Sequence, residues 1–170
     1  IKWIIKVIRF ALPAVKDGYS VQQDAQNQLL SYDKIVSTDP PYYDNIMYAE
    51  LADFFYVVQK GYLSDIYPSL FDQPLTEKQN EAVANPAKFD SVAGGGQSKR
   101  ELAKQDYEDK MSDIFNEMYR VLEPGGVTTV MFTHKESDAW DTLTKSLINS
   151  GFTITSTHPI TSEMPQRTDT

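Results

Sequence analysis

The sequence predicts an α/β fold, in which strands alternate with helices along the chain. Short runs rich in β-branched residues are followed by segments with helical periodicity, and Gly or Pro residues separate the two kinds of segment. This alternation is typical of a sheet whose neighbouring strands run parallel. The length of 170 residues and the hydrophobic fraction of 41% suit one domain with its own core, so residues 1–170 are interpreted as part of a single domain.

The first half of the chain predicts two helices and two strands. In order, these are an amphipathic helix within residues 1–15, a short strand over 19–23, a clearer strand over 34–38 and a helix over 49–60. Pro40 and Pro41 end the second strand, because proline cannot donate a hydrogen bond to a sheet ladder. Gly61 is expected to end the second helix. The aromatic cluster of this helix, residues 54–56, is expected in the core.

The second half begins with an irregular stretch and continues with regular elements. Residues 46–97 are interpreted as a helical insertion, in which a short helix is predicted to start at Thr76. The longest helix follows, and Ser98 and Glu101 match a capping box at its start. Residues 124–126 are predicted to end that helix. A strand over 127–132, a helix from Ser137 and a strand over 152–157 are predicted to follow.

Composition excludes several classes of function. The chain has no cysteine, which excludes a disulfide scaffold, a thiolate nucleophile and a cysteine-ligated metal. With only two histidines, no metal site is expected. The net charge is −8, which argues against a free-standing nucleic-acid binder held by charge alone. The apolar stretch in residues 1–15 is too short and too charged to span a bilayer, so no membrane partner is expected and the chain fits the cytoplasm.

The residues that carry chemistry follow the strand over 34–38, at its carboxyl end, in the order Asp39-Pro40-Pro41-Tyr42. Ligands of α/β sheets bind at such strand ends. A carboxylate on Asp39 and the backbone carbonyl of Pro40 can accept the two N–H groups of a planar amine, and Tyr42 can stack on its ring. This arrangement favours reaction at the amine by positioning and electrostatics, without a covalent intermediate.

The Asp-Pro-Pro-Tyr motif resembles the catalytic motif of amino-methyltransferases that use S-adenosylmethionine. More narrowly, the chain resembles the bacterial and archaeal adenine-specific DNA methylases that carry a zinc ribbon. The segments that match these DNA methylases, within residues 20–167, are 38–45, 53–57, 132–135 and 163–165. The helix end over 119–126 and the strand after it resemble the wider methyltransferase superfamily. The resemblance implies a partial, Rossmann-like class I methyltransferase fold. It also implies methylation of the exocyclic amino group of adenine in DNA, with the base flipped out of the duplex.

The resemblance assigns roles to individual residues. Asp39 and Pro40 would orient the amine, Pro41 completes the catalytic motif, and Tyr42 would stack on the base. Asp24 resembles the acidic residue that approaches the adenine of S-adenosylmethionine, and Asp39 would also lie near the methionine end of that cofactor.

The sequence departs from the family at the cofactor loop. No glycine-rich Phe-x-Gly-x-Gly loop follows a predicted strand, and the first strands and the zinc ribbon of the family have no counterpart. The chain is therefore expected to be a fragment that is inactive alone and needs an N-terminal part of the parent protein. Unpaired sheet edges in such a fragment are expected to cause self-association.

Several roles have two interpretations. Tyr43, Asp44 and Asn45 either line the substrate entrance or cap the following helix. His134 and Lys135 follow the strand over 127–132, at the same sheet edge as Asp39, and either contact the substrate or form a surface loop. The acceptor of the methyl group could also be cytosine, RNA or a protein glutamine, because the four-residue motif recognises a planar amine or amide. An alternative of a different class is a non-catalytic binding or scaffolding fragment.

Overall fold

The structure is a computed structural model that describes residues 2–10, 21–28, 33–91 and 96–160. Within these ranges it is a mixed α/β protein. Its helices are α1 (Lys2–Phe10), α2 (Tyr48–Leu63), α3 (Lys99–Val121) and α4 (Ser137–Asn149), and its strands are β1 (Asp33–Thr38) and β2 (Leu122–Val130). Two short 3-10 turns, Pro68–Leu70 and Pro86–Phe89, lie between α2 and α3. None of the described helices has the length and apolar character needed to cross a bilayer.

The two described strands are parallel neighbours, which confirms the predicted parallel orientation of neighbouring strands. Ile35 pairs with Val127 and Thr38 pairs with Val130. The predicted start of β2 is wrong: the strand begins at Leu122, directly after α3, and ends at Val130. Gly125 has a φ of 80°, a conformation that glycine adopts without steric cost, and the register shifts in this part of the ladder.

The core lies between α3, α4 and one face of the sheet. One side of α3 is buried at helical spacing, through Ala103, Tyr107, Met111, Phe115, Met118 and Val121. Leu143 and Leu147 of α4 pack against this side, and Val36 and Val130 contribute the sheet side of the core. The buried side of α3 is thus the centre of the described fold.

The capping box at the start of α3 is confirmed. The Glu101 backbone N–H donates to Ser98 Oγ at 3.2 Å, and the Ser98 backbone N–H donates to Glu101 Oε2 at 2.7 Å. Two N–H groups at the helix start therefore have partners within four residues of sequence, which explains why the sequence alone located this end.

The prediction that the aromatic cluster of α2 lies in the core is wrong. No residue of α2 is buried, and Phe54 and Phe55 are largely exposed. The helix also continues past Gly61 to Leu63. The helix predicted from Thr76 is absent, since Thr76 instead bonds to Asp53 of α2 through its backbone N–H and its hydroxyl.

Neither of the outer strands predicted from sequence forms in the described residues. Residues 21–23 belong to no strand, while residues 19 and 20 lie outside the described ranges. Residues 152–157 also lack strand structure. The Phe152 backbone N–H donates to the Leu147 carbonyl, and the Phe152 ring packs edge-on against Tyr119. A strand requires a neighbour that accepts and donates its ladder hydrogen bonds, and the described sheet offers neither segment such a neighbour.

Candidate active site

Two loops leave the sheet side by side at its carboxyl edge. The motif loop (residues 39–45) follows β1, and the second loop (residues 131–136) follows β2. The Met131 backbone N–H donates to the Thr38 carbonyl at 2.9 Å, so the parallel pairing continues into the start of both loops. Because the strands are parallel, Asp39 and His134 belong to the same edge, as the sequence predicted.

Asp39 and Tyr42 are joined by a short hydrogen bond. The Tyr42 hydroxyl donates to Asp39 Oδ1 at 2.6 Å, and the Asp39 side chain is exposed at the sheet edge. The hydrogen bond to Asp39, together with partial burial and the negative charge of that carboxylate, raises the pKa of Tyr42 from 10.0 to about 12. The Tyr42 ring rests edge-on against Phe132 of the second loop, with centroids 5.6 Å apart. The tyrosine therefore stays neutral at physiological pH and holds one carboxylate oxygen.

The carbonyl groups of the two prolines have different surroundings. The Pro41 carbonyl accepts from the Tyr43 backbone N–H at 3.0 Å and from the Tyr107 hydroxyl at 3.1 Å. Tyr107 is fully buried in α3, so this bond ties the motif loop to the core. Among the described residues, no hydrogen bond reaches the Pro40 carbonyl. Pro40 itself is a buried residue, whereas Asp39 is exposed.

Tyr43 has a backbone conformation that is rare for its residue type. Its φ is 56°, in the left-handed region, which costs roughly 1–2 kcal/mol for a residue with a Cβ. The conformation is held from both sides. The Tyr43 carbonyl accepts from the Ala84 backbone N–H at 3.1 Å, and its ring packs edge-on against Tyr107 and His134. The strain is thus stored at the turn that follows the prolines.

His134 joins the two loops rather than facing solvent. Its side chain is 3% exposed. The Glu136 backbone N–H bonds to Nδ1 at 3.0 Å, so Nδ1 acts as acceptor and Nε2 carries the proton toward Asp44 Oδ1, 3.1 Å away. Both ring nitrogens are in use, which gives His134 a positioning role for the motif loop. Its neighbour Lys135, also predicted to contact substrate, is exposed.

The alternative in which Asp44 and Asn45 cap the next helix is not observed. The N-cap of α2 is Met47, whose side chain makes no capping bond, and the Ala49 backbone N–H in the first turn donates to Glu81 Oε1 at 3.0 Å. Asp44 instead faces His134, while the Asn45 backbone N–H donates to the Tyr42 carbonyl at 3.1 Å. Both residues are exposed.

Asp24 lies in a segment attached to the far end of α3. Gln28 donates its backbone N–H to Glu117 at 2.6 Å and accepts from Arg120 at 3.0 Å. Glu117 is ten residues beyond Tyr107, or about 15 Å along the helix at 1.5 Å per residue. A shallow cleft of about 320 Å³ lies at this end, lined by Gln26, Asp113, Asn116, Glu117 and Arg120. Because Tyr107 holds the motif loop, the attachment at Gln28 lies well away from it, and the cofactor role of Asp24 stays a prediction.

Two residues of the site were missed by the sequence reasoning. Tyr107 anchors the motif loop, and Trp140 donates its indole N–H to the His134 carbonyl at 3.0 Å. Tyr107 had a signal, since it falls on the apolar side of α3, where a buried hydroxyl needs a partner. Trp140 is 44% exposed, and its ring packs edge-on against Phe132.

The fold and the site together define a mixed α/β protein with an Asp-Pro-Pro-Tyr loop at the carboxyl edge of parallel strands. Comparisons with models of protein families, with curated proteins and with solved structures give no match for this chain.

The Tyr42 hydroxyl is expected to ionise with a midpoint near pH 12. A pKa raised by folding means that the hydrogen bond to Asp39 stabilises the fold fully below pH 10, and that this contribution is lost as the pH rises toward 12. Absorbance at 295 nm, measured as the difference between the wild type and Tyr42→Phe, isolates this group from the other tyrosines. The Asp39→Ala variant is expected to move the midpoint back toward 10, and an unchanged midpoint would contradict the assigned hydrogen bond.

Proposed function

We propose that this chain carries the amine-orienting part of an S-adenosylmethionine-dependent methyltransferase that modifies the exocyclic amino group of adenine in DNA. The observation that supports this most directly is the exposed Asp39 carboxylate at the sheet edge, which the Tyr42 hydroxyl holds and which precedes a Pro40 carbonyl that accepts no hydrogen bond from the described residues. The resemblance of the motif and of the ordered segments after it supports the choice of adenine.

Methyl transfer to an exocyclic amine requires that the amine nitrogen become more nucleophilic. The lone pair of an exocyclic amine is delocalised into its ring, so the nitrogen reacts poorly in water. Asp39 Oδ2 and the Pro40 carbonyl would accept its two N–H groups, which favours a pyramidal nitrogen with its lone pair directed outward. When bound, S-adenosylmethionine supplies an electrophilic methyl group on a sulfonium and keeps the electron pair of the broken carbon–sulfur bond. The amine nitrogen forms the new bond to carbon and releases one proton to water.

The Tyr42–Asp39 hydrogen bond would orient the carboxylate before the substrate arrives. The Tyr42 hydroxyl occupies Oδ1, so Oδ2 would be the carboxylate oxygen that accepts from the ligand. A flipped base would then lie against the Tyr42 ring, whose other contact is Phe132. The anchoring of Pro41 by Tyr107 keeps the neighbouring Pro40 carbonyl in place.

The residues at the site fit the amine side of the reaction better than the cofactor side. Asp39 would lie near the methionine end of the cofactor, but the attachment of the segment that carries Asp24 lies near the far end of α3. The proposal therefore includes a partner segment that carries the glycine-rich loop. It also includes basic surface from outside the described site for DNA phosphates, because the chain carries a net charge of −8.

The test is a calorimetric titration of S-adenosylmethionine into the chain, followed by transfer of a labelled methyl group to duplex DNA, RNA and a glutamine-containing peptide. Label on adenine N6 is the expected result, either with this chain or with the protein extended by its glycine-loop segment. Label on cytosine, RNA or glutamine would replace the acceptor and keep the chemistry. Absence of binding and transfer in both proteins would contradict the proposal.

A binding or scaffolding role is the second candidate. It is favoured by the absence of a glycine-rich loop after either described strand. This candidate predicts that the chain retains an amine-bearing ligand, such as adenine-containing DNA, without cofactor dependence. Cofactor-dependent thermal stabilisation of the extended protein separates the two candidates, because a scaffold would show none.

A further inference from the structure

Helix α2 presents an apolar stripe to solvent. We define the α2 stripe as Leu51, Phe54, Phe55, Val58 and Tyr62. These residues recur at helical spacing on one side of α2, and they are 64%, 73%, 63%, 53% and 80% exposed. An exposed patch with three aromatic rings is larger than the scattered apolar residues that normal surfaces carry.

The opposite side of α2 is polar and faces the rest of the protein. Asp53 forms an ion pair with Lys78 at 2.8 Å and accepts two hydrogen bonds from Thr76, and these partners lower its pKa to about 2. The Tyr56 hydroxyl donates to the Gln73 carbonyl at 2.8 Å. These bonds fix the rotation of the helix about its axis. Turning α2 to bury the stripe inside the same molecule would break them.

The α2 stripe contains no charged residue. Two copies of the stripe can therefore face each other without like charges in contact, although each chain carries a net charge of −8. A phosphate backbone would need cations on this surface. The basic residue of α2, Lys60, lies on the polar side and donates to the Gln73 carbonyl.

The exposed area of the α2 stripe is in the range expected for the interface of a weak dimer. A buried aromatic side chain covers about 150–250 Å², so the exposed parts of the five residues amount to roughly 600 Å² in one copy. Two copies would bury about 1,200 Å², which is the lower limit for specific protein interfaces. An interface of this size and composition is expected to give a micromolar, concentration-dependent dimer.

We propose that the α2 stripe is the contact surface for a second copy of this chain, and that the two stripes meet face to face. The proposal is independent of the catalytic assignment. It also differs from association through open sheet edges, because α2 takes no part in the described sheet.

Sedimentation velocity at about 1–100 μM and 0.15 M salt tests the proposal. The wild type is expected to shift from the monomer mass of 19.3 kDa toward twice that mass as the concentration rises. Phe54→Asp places two like charges in the apolar contact and should leave a monomer throughout. Phe54→Ala is expected to raise the dissociation constant at least about tenfold, as truncation of a central aromatic anchor does.

The matched control is Ile35→Asp, which charges an exposed apolar position on β1 instead. This variant should dimerise like the wild type. Because Phe54 is exposed, both Phe54 variants should keep the wild-type helix content by circular dichroism. A wild type that stays monomeric at 100 μM overturns the proposal. The proposal is also overturned if Ile35→Asp abolishes dimerisation while both Phe54 variants fold and still dimerise. That result would place the contact on the sheet.

Discussion

Replacing Asp39 with alanine is expected to abolish methyl transfer by the extended protein, with turnover reduced at least about 10²–10³-fold. The carboxylate is the charged acceptor of the site, and the Pro40 carbonyl alone cannot hold both N–H groups of an amine. The loss should appear in turnover, while duplex binding changes little, because phosphate contacts dominate affinity for DNA. Single-turnover transfer of a labelled methyl group measures this directly.

Two further variants test whether the loss of turnover is specific to the Asp39 carboxylate. Tyr42→Phe keeps the aromatic ring and removes only the hydroxyl that holds Asp39 Oδ1, so its loss should stay within about tenfold of the wild type. Asp72→Ala removes an exposed carboxylate in the insertion and is expected to leave turnover unchanged. If Asp39→Ala methylates as fast as Asp72→Ala, Asp39 does not orient the amine and the proposed function is wrong.

Among the proposed substitutions, Phe115→Ala is expected to change the free energy of unfolding the most. The Phe115 side chain is fully buried at the centre of the core, between α3, α4 and the sheet. Phe115→Ala is expected to lower the free energy of unfolding by about 3–5 kcal/mol, because the apolar contacts are lost and a cavity remains. Urea denaturation followed by circular dichroism measures the change.

The control for Phe115 is an exposed apolar residue away from the core. Ile160 is 76% exposed, and Ile160→Ala should change the free energy of unfolding by no more than about 0.5 kcal/mol. A loss below about 1 kcal/mol for Phe115→Ala would mean that the apolar side of α3 is not the core. A destabilised α3 should also loosen the motif loop, since Tyr107 on the same helix holds the Pro41 carbonyl.

The parts of the fold that the sequence predicted well are those with local causes. The capping box of α3 joins residues three apart, and the end of β1 follows from two prolines that cannot donate. The parallel pairing of β1 and β2 follows from the alternation of strands with helices. The placement of Asp39 and His134 at one edge follows from that pairing.

The contacts that shape the candidate site join distant parts of the chain. The Tyr107 hydroxyl reaches Pro41 across 66 positions, and His134 reaches Asp44 across 90. Neither pair has a spacing that sequence periodicity can detect. The apolar spacing in α2 predicted the helix but gave the wrong surroundings, since periodicity shows that one side is apolar and not what covers it.

By itself the sequence determined the helices and strands with strong local signals, the order in which they follow, and the position of the Asp-Pro-Pro-Tyr loop after β1. Propensity, capping and proline sterics act over a few residues, so these features are set before the chain is packed. The tertiary structure decided which side of α2 faces solvent, which groups hold Asp39 and His134, and which predicted strands find a neighbour. Those outcomes depend on the partners available in space, because a strand or an apolar side is stabilised only where another surface completes it.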